Sequence, residues 1–142
     1  MTHFRIEPNI GVGPIKFGMT KAEVASVFGL PEFENGNRVG YFSGFMINFD
    51  AVNVVEFIEL AKSDLFTSEY KGVDLQNLLA SKVLSFVSEN DSFDENDPEL
   101  GHSYVFKSLQ LSFWRGTLPE DENDNDGQFF EAIGIGCSHY FE

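Results

Sequence analysis

Two short stretches of this chain share one layout. Gly18-Met19-Thr20-Lys21-Ala22-Glu23-Val24 and Gly72-Val73-Asp74-Leu75-Gln76-Asn77-Leu78 each place a glycine, an apolar residue and a capping residue ahead of an apolar run. In the first, Thr20 is set to cap a helix and Glu23 to return the bond, while Met19 and Val24 hold the two positions of a hydrophobic staple. Val24, Val27 and Phe28 continue at helical spacing, and Gly29 and Pro31 end the segment. In the second, Asp74 is the cap, Asn77 replaces the acid, and Val73 and Leu78 form the staple pair. Leu75, Leu78, Leu79, Val83 and Phe86 then prolong the apolar stripe into a longer helix.

The segments after the two helix starts repeat as well. Residues 39–50 alternate, with Phe45, Ile47 and Phe49 on one side, and 54–60 supply a partner strand across a turn at Asp50 to Asn53. Residues 103–114 read as one long strand with Leu109, Leu111 and Phe113 facing inward, and a further strand spans 130–136. Two acidic insertions, 89–99 and 116–127, lengthen the second copy. The expected architecture is α+β: two tandem helix plus antiparallel-sheet repeats in one compact domain over 1–142, with unit 1 at 10–61 and unit 2 at 66–142. Chance recurrence of short apolar patterns is the alternative.

Charge narrows the partners. The formal net charge is −14, a field that repels phosphate backbones and excludes nucleic acid. A basic protein or peptide fits this field better, although the acids also serve simply to keep a phenylalanine-rich chain in solution. No apolar segment is long enough to span a bilayer, so no membrane partner is expected. The N-terminus lacks the basic and apolar regions of a signal peptide. A cytoplasmic location is expected, and the single cysteine, Cys137, excludes an internal disulfide framework.

Catalytic chemistry finds little support. His3 falls in a segment expected to fray, His102 begins a strand, and His139 lies near the C-terminus. Cys137 and His139 share a strand face by parity, but no further pair completes a zinc site, and Cys137 is expected in the core beside Ile133 and Ile135. No nucleophile elbow or H-E-x-x-H occurs. The run Glu122 to Gly127 imitates the start of a calcium loop, yet Ile133 stands where a bidentate Glu belongs. Gly11 and Gly13, like Gly134 and Gly136, lack the remainder of a phosphate-binding fingerprint; the second pair is expected to pack against the repeat's own helix. The chain is therefore expected to be non-catalytic, with no cofactor and no metal.

Binding remains. Parity along 103–114 puts Tyr104, Gln110 and Trp114 on the outer face, beside the acidic loop carrying Asp121, Glu122, Asp124 and Asp126. An exposed aromatic group beside acids has the makeup of a protein-docking surface; burial of Trp114 where the two units meet is the competing reading.

The pattern I-x-F-G-M-T-x-x-E-V, a glycine-proline stop and a meander beyond it resemble the helix-plus-sheet unit of small outer-membrane assembly lipoproteins and its tandem form in β-lactamase inhibitor proteins. Gly18, Thr20, Glu23 and Val24 match the helix-start motif; Gly72, Asp74, Asn77 and Leu78 match it more loosely. The resemblance covers residues 15–60 and 70–136 and implies protein binding through a sheet surface. The chain departs from those relatives in lacking a lipidated cysteine, a signal peptide and disulfides, and its size and acidity are similar to those of bacterial toxin-neutralising immunity proteins. The alternatives are a small-ligand or enzymatic domain with a cleft between the units, and a structural homodimer.

Overall fold

A computed structural model describes residues 1–142. Its strands are β1 (Thr2–Glu7), β2 (Gly11–Val12), β3 (Ile15–Lys16), β4 (Phe33–Asn35), β5 (Arg38–Tyr41), β6 (Phe45–Phe49), β7 (Val55–Ala61), β8 (Phe66–Tyr70), β9 (Val73–Asp74), β10 (Ser103–Phe106), β11 (Leu111–Trp114) and β12 (Ala132–Gly136). Two helices, α1 (Lys21–Phe28) and α2 (Ala80–Val87), and a 3₁₀ turn at Leu75–Asn77 complete the chain. The fold is α+β. A seven-stranded sheet runs β10-β11-β12-β7-β6-β5-β4, and a five-stranded sheet runs β3-β2-β1-β8-β9.

The first helix forms as its sequence dictates. The Thr20 side chain accepts from the Glu23 amide, and the Glu23 carboxylate accepts from the Thr20 amide, closing the capping box. The second start differs. Asp74 accepts from the Gln76 amide but caps only the 3₁₀ turn, and α2 begins after Leu79 with no side-chain cap. Ala80, Val83 and Val87 form its buried stripe, while Leu79 is exposed. An Asx bond to the second residue tightens a single turn; without a returning carboxylate at Asn77 nothing holds the wider α-helical turn open there.

Both long alternating segments are hairpins rather than single strands. Residues 39–50 break at a three-residue turn, Phe42 to Gly44, where Phe42 and Ser43 have φ values of 53° and 57° and the Gly44 amide donates to the Tyr41 carbonyl. Residues 103–114 break across Lys107 to Gln110, where Gln110 has φ 56°. In the first hairpin the expected faces hold on both sides of the turn, with Val39, Tyr41, Phe45, Ile47 and Phe49 buried; in the second only Leu111 and Phe113, beyond the turn, keep theirs. Leu109 sits half-buried in its turn. The turn at Asp50 forms as expected, its carboxylate accepting from the Val52 and Val54 amides.

Residues 2–5 are not frayed. They pair in parallel with Phe66–Glu69, so β1 and β8 form the centre of the smaller sheet. The Phe4 ring lies 5.0 Å from Phe45 and 5.4 Å from Phe66, which brings the two sheets together. Phe28 of α1 adds a contact at 5.2 Å to Phe45. The two parts of the larger sheet join at β7 and β12, antiparallel, with Ile58 opposite Ile135. Gln76 is a second tie, its buried amide donating to the Leu60 carbonyl. One cluster of 25 buried hydrophobic residues runs through both sheets and both helices.

Candidate functional site

Alternation along the seven-stranded sheet separates two faces. Val39, Tyr41, Phe45, Ile47, Ile58, Leu60, Phe113 and Ile133 are buried on the side of α1 and the smaller sheet. The other side carries Phe33, Arg38, Met46, Asn48, Phe57, Glu59, Ala61, Ser112, Trp114 and Ala132 in register across the strands. The C-terminal residues reach this outer face, and residues 94–98 approach it at Val105. The Tyr140 ring stacks on Phe57 at 4.7 Å and 14°, and Phe141 meets Phe57 edge-on.

Small residues make that contact possible. A Cβ on Gly134 would fall 2.8 Å from the Phe57 ring, and one on Gly136 would fall 2.6 Å from Tyr140. The glycine pair thus packs against aromatic rings on the outer face, not against a helix. Near the centre, the Arg38 guanidinium donates to Asn48 Oδ1 at 2.7 Å and pairs with Glu59.

Trp114 lies on the outer face with 45 % of its surface exposed, rather than at the junction of the two halves. The Glu131 amide donates to its carbonyl, and its ring sits over Gly116. Three further exposed apolar residues belong to the same end of the β10–β11–β12 ladder: Leu100, Leu118 and Phe129. Leu118 lies against Gly101, and Lys62 sits 5.3 Å over the Phe129 ring. Sequence reasoning missed these residues, although apolar side chains inside such acidic loops were a usable signal.

Tyr104 is not on the outer face, and Gln110 is not exposed there. Tyr104 pairs with Phe113 and meets Phe93 and Phe130 edge-on, so it points inward. Gln110 is only 4 % exposed and clamps the C-terminus: its Nε2 donates to the Phe141 carbonyl and its Oε1 accepts from the Phe141 amide. The hairpin turn resets parity, which is why counting by twos from Trp114 fails at Tyr104, whereas Gln110 is covered by the C-terminal residues.

The acidic loop is folded on itself. Asp124 accepts from the amides of Glu120 and Asp126, and these bonds hold its carboxyl below the usual carboxylate range. Asp121 accepts from the Asn123 amide; Glu122 and Asp126 project as exposed acids. Arg115 anchors the loop base, donating to the carbonyls of Gly101 and Gly127 and lying over Phe130.

The titratable candidates are scattered. Cys137 lies beyond β12, half-buried and outside the core, and His139 is exposed in the next turn. They do not share a strand face. Burial, then the nearby Glu56, pushes the Cys137 thiol above its ordinary pKa, away from a reactive thiolate. His102 Nδ1 donates to the Arg115 carbonyl. His3 does meet two polar partners, Thr67 and Glu69, at 2.7 and 2.9 Å. Thr67 donates to Glu69, so its hydroxyl proton is directed at a carboxylate rather than at a base, and the group acts as a strap across β1 and β8. No group of three or more His, Cys, Asp or Glu side chains converges as a metal cage. No helix is long and apolar enough to cross a membrane. A scan against protein-family models finds no match, and neither do searches of curated proteins and of solved structures.

Proposed function

We propose that the chain is a non-catalytic protein-binding module that docks a basic protein through the outer face of its seven-stranded sheet. The observation that carries this reading is Trp114, exposed on that face, with Leu100, Leu118 and Phe129 exposed in the loops at the same end of the ladder. The loop that follows Trp114 carries the exposed acids Glu120, Asp121, Glu122 and Asp126. Half-exposed aromatic and apolar groups that need desolvation supply affinity, and a ring of one charge selects and steers the opposite charge. Arg115 and Lys62, the cations nearest this end, are held by carbonyls and an aromatic ring. The resemblance to tandem inhibitor modules, which bind through a sheet surface, supports the same reading. Acidity and size favour one form of it, neutralisation of a basic toxin by an immunity-type protein.

A photo-crosslinking residue at position 114, with a control at the exposed Ser26, tests the proposal in the native cell. The expected result is an adduct with a basic protein from position 114 and none from position 26. The purified partner should then bind Trp114→Ala at least about tenfold more weakly. Adducts only with a second copy of this chain would make the face a homodimer interface and overturn the proposal.

A further inference from the structure

A concave site lies on the smaller sheet, away from the proposed docking face. The cleft between the end of β1 and the turn linking β8 to β9 has a volume of about 430 Å³ and is lined by Arg5, Glu7, Pro8, Ile10, Tyr70, Lys71 and Gly72, with Ile6 beneath. That volume suits a small organic ligand.

The charges in this cleft are unusual for so acidic a chain. Of the nine cations, Lys16, Lys21, Arg38 and Lys107 have carboxylate partners. Arg5 and Lys71 have none, yet both line one cleft. The reason is local. Glu69 stands in register beside Arg5 but turns to His3 and Thr67. Glu7 is turned to Lys16, 3.7 Å away. Asn90 takes the Lys71 ammonium and the Tyr70 hydroxyl on a single amide oxygen, which sets Lys71 at 5.6 Å over the Tyr70 ring. The amides of Lys71 and Gly72, with φ 52° and 82°, make no hydrogen bond within the chain.

We infer that this cleft binds a small organic anion: one carboxylate or phosphate held by Arg5, Lys71 and the Lys71–Gly72 turn, and an apolar body resting on Pro8 and Ile10. A planar guanidinium beside an ammonium is suited to such an oxyanion. The half-exposed Ile10 and Pro8 supply the surface that a bare inorganic ion would leave unused.

Amide NMR titration of the full chain at constant ionic strength, with phenyl phosphate, benzoate and inorganic phosphate as separate probes, tests this inference. The expected result is saturable shifts confined to residues 5–13 and 69–73 with phenyl phosphate or benzoate, and weaker binding of inorganic phosphate. Arg5→Gln and Lys71→Gln should each weaken binding by about tenfold or more, with otherwise unchanged spectra. Three results would overturn it: shifts that never saturate, inorganic phosphate binding as tightly as phenyl phosphate, or unchanged affinity in the Arg5→Gln/Lys71→Gln double variant. None of the three bears on docking at Trp114.

Discussion

The two faces of the seven-stranded sheet are made from the same strands and differ sharply in burial. Phe45 and Ile47 alternate with Met46 and Asn48 along β6, yet the first pair is fully buried and the second is half-exposed. The inner face is a continuous apolar layer whose rings interlock at 5.0–6.1 Å, as Phe4, Phe28 and Phe66 do around Phe45. The outer face is held by separate local pairs, Arg38 with Glu59 and Phe57 with Tyr140. Folding therefore draws on the first face, and the second is the one proposed to meet a partner.

The largest effect that tests this division is Phe45→Ala, which removes a fully buried ring and should cost about 3–5 kcal/mol in urea denaturation. A cost below about 1 kcal/mol would mean the inner layer is not the core. Gly134→Ala comes next. Its new Cβ must displace Ser112 Oγ and the Phe57 ring, and with that ring Tyr140, at about 1–3 kcal/mol. Thr20→Ala should cost about 1 kcal/mol because it opens the capping box of α1. Trp114→Ala should change stability by less than about 0.5 kcal/mol while abolishing most partner binding. A large loss of stability there would place the tryptophan in the folding account instead.

The smallest effect is one of pH. Backbone amides lower the Asp124 pKa below its ordinary 3.8, so its contribution is fully present above that value and is lost as pH falls through the lower, folded-state pKa. Asp124→Asn should therefore be less stable than the parent at neutral pH, and the gap should narrow in acid titrations monitored by circular dichroism. A gap independent of pH would show that the carboxylate's charge is not what the loop uses.

The parts of this fold that were legible in sequence are those decided within a few residues. The Thr20–Glu23 box, the Asp50 turn and the inward run Phe45, Ile47, Phe49 all come from local chemistry. Three other features were not legible, each for a physical reason. The turn at Lys107–Gln110 lacks the glycine or proline that marks reversal, and the Ser43-Gly44 signal in the first turn is masked by apolar alternation running on through it, so two hairpins read as two strands. The parallel pairing of β1 with β8 joins residues more than sixty positions apart and leaves no local signal. Tyr104 was assigned by parity across a turn that resets it, and Gln110 is covered by C-terminal residues that parity does not foresee, whereas Trp114 does lie on the outer face. Of the candidate docking surface, the aromatic anchor and its exposed acids were visible; Leu100, Leu118 and Phe129 emerged only once the ladder brought their loops to one end.

The claim that the outer face is the docking face is tested most directly by an NMR footprint of the captured partner on isotopically labelled protein. The account predicts shifts and broadening confined to β10–β12, β7, β6 and the two acidic loops, with the association rate falling as salt is raised. A footprint on α1, α2 or the β1–β8 sheet, with Trp114 unperturbed, would contradict it.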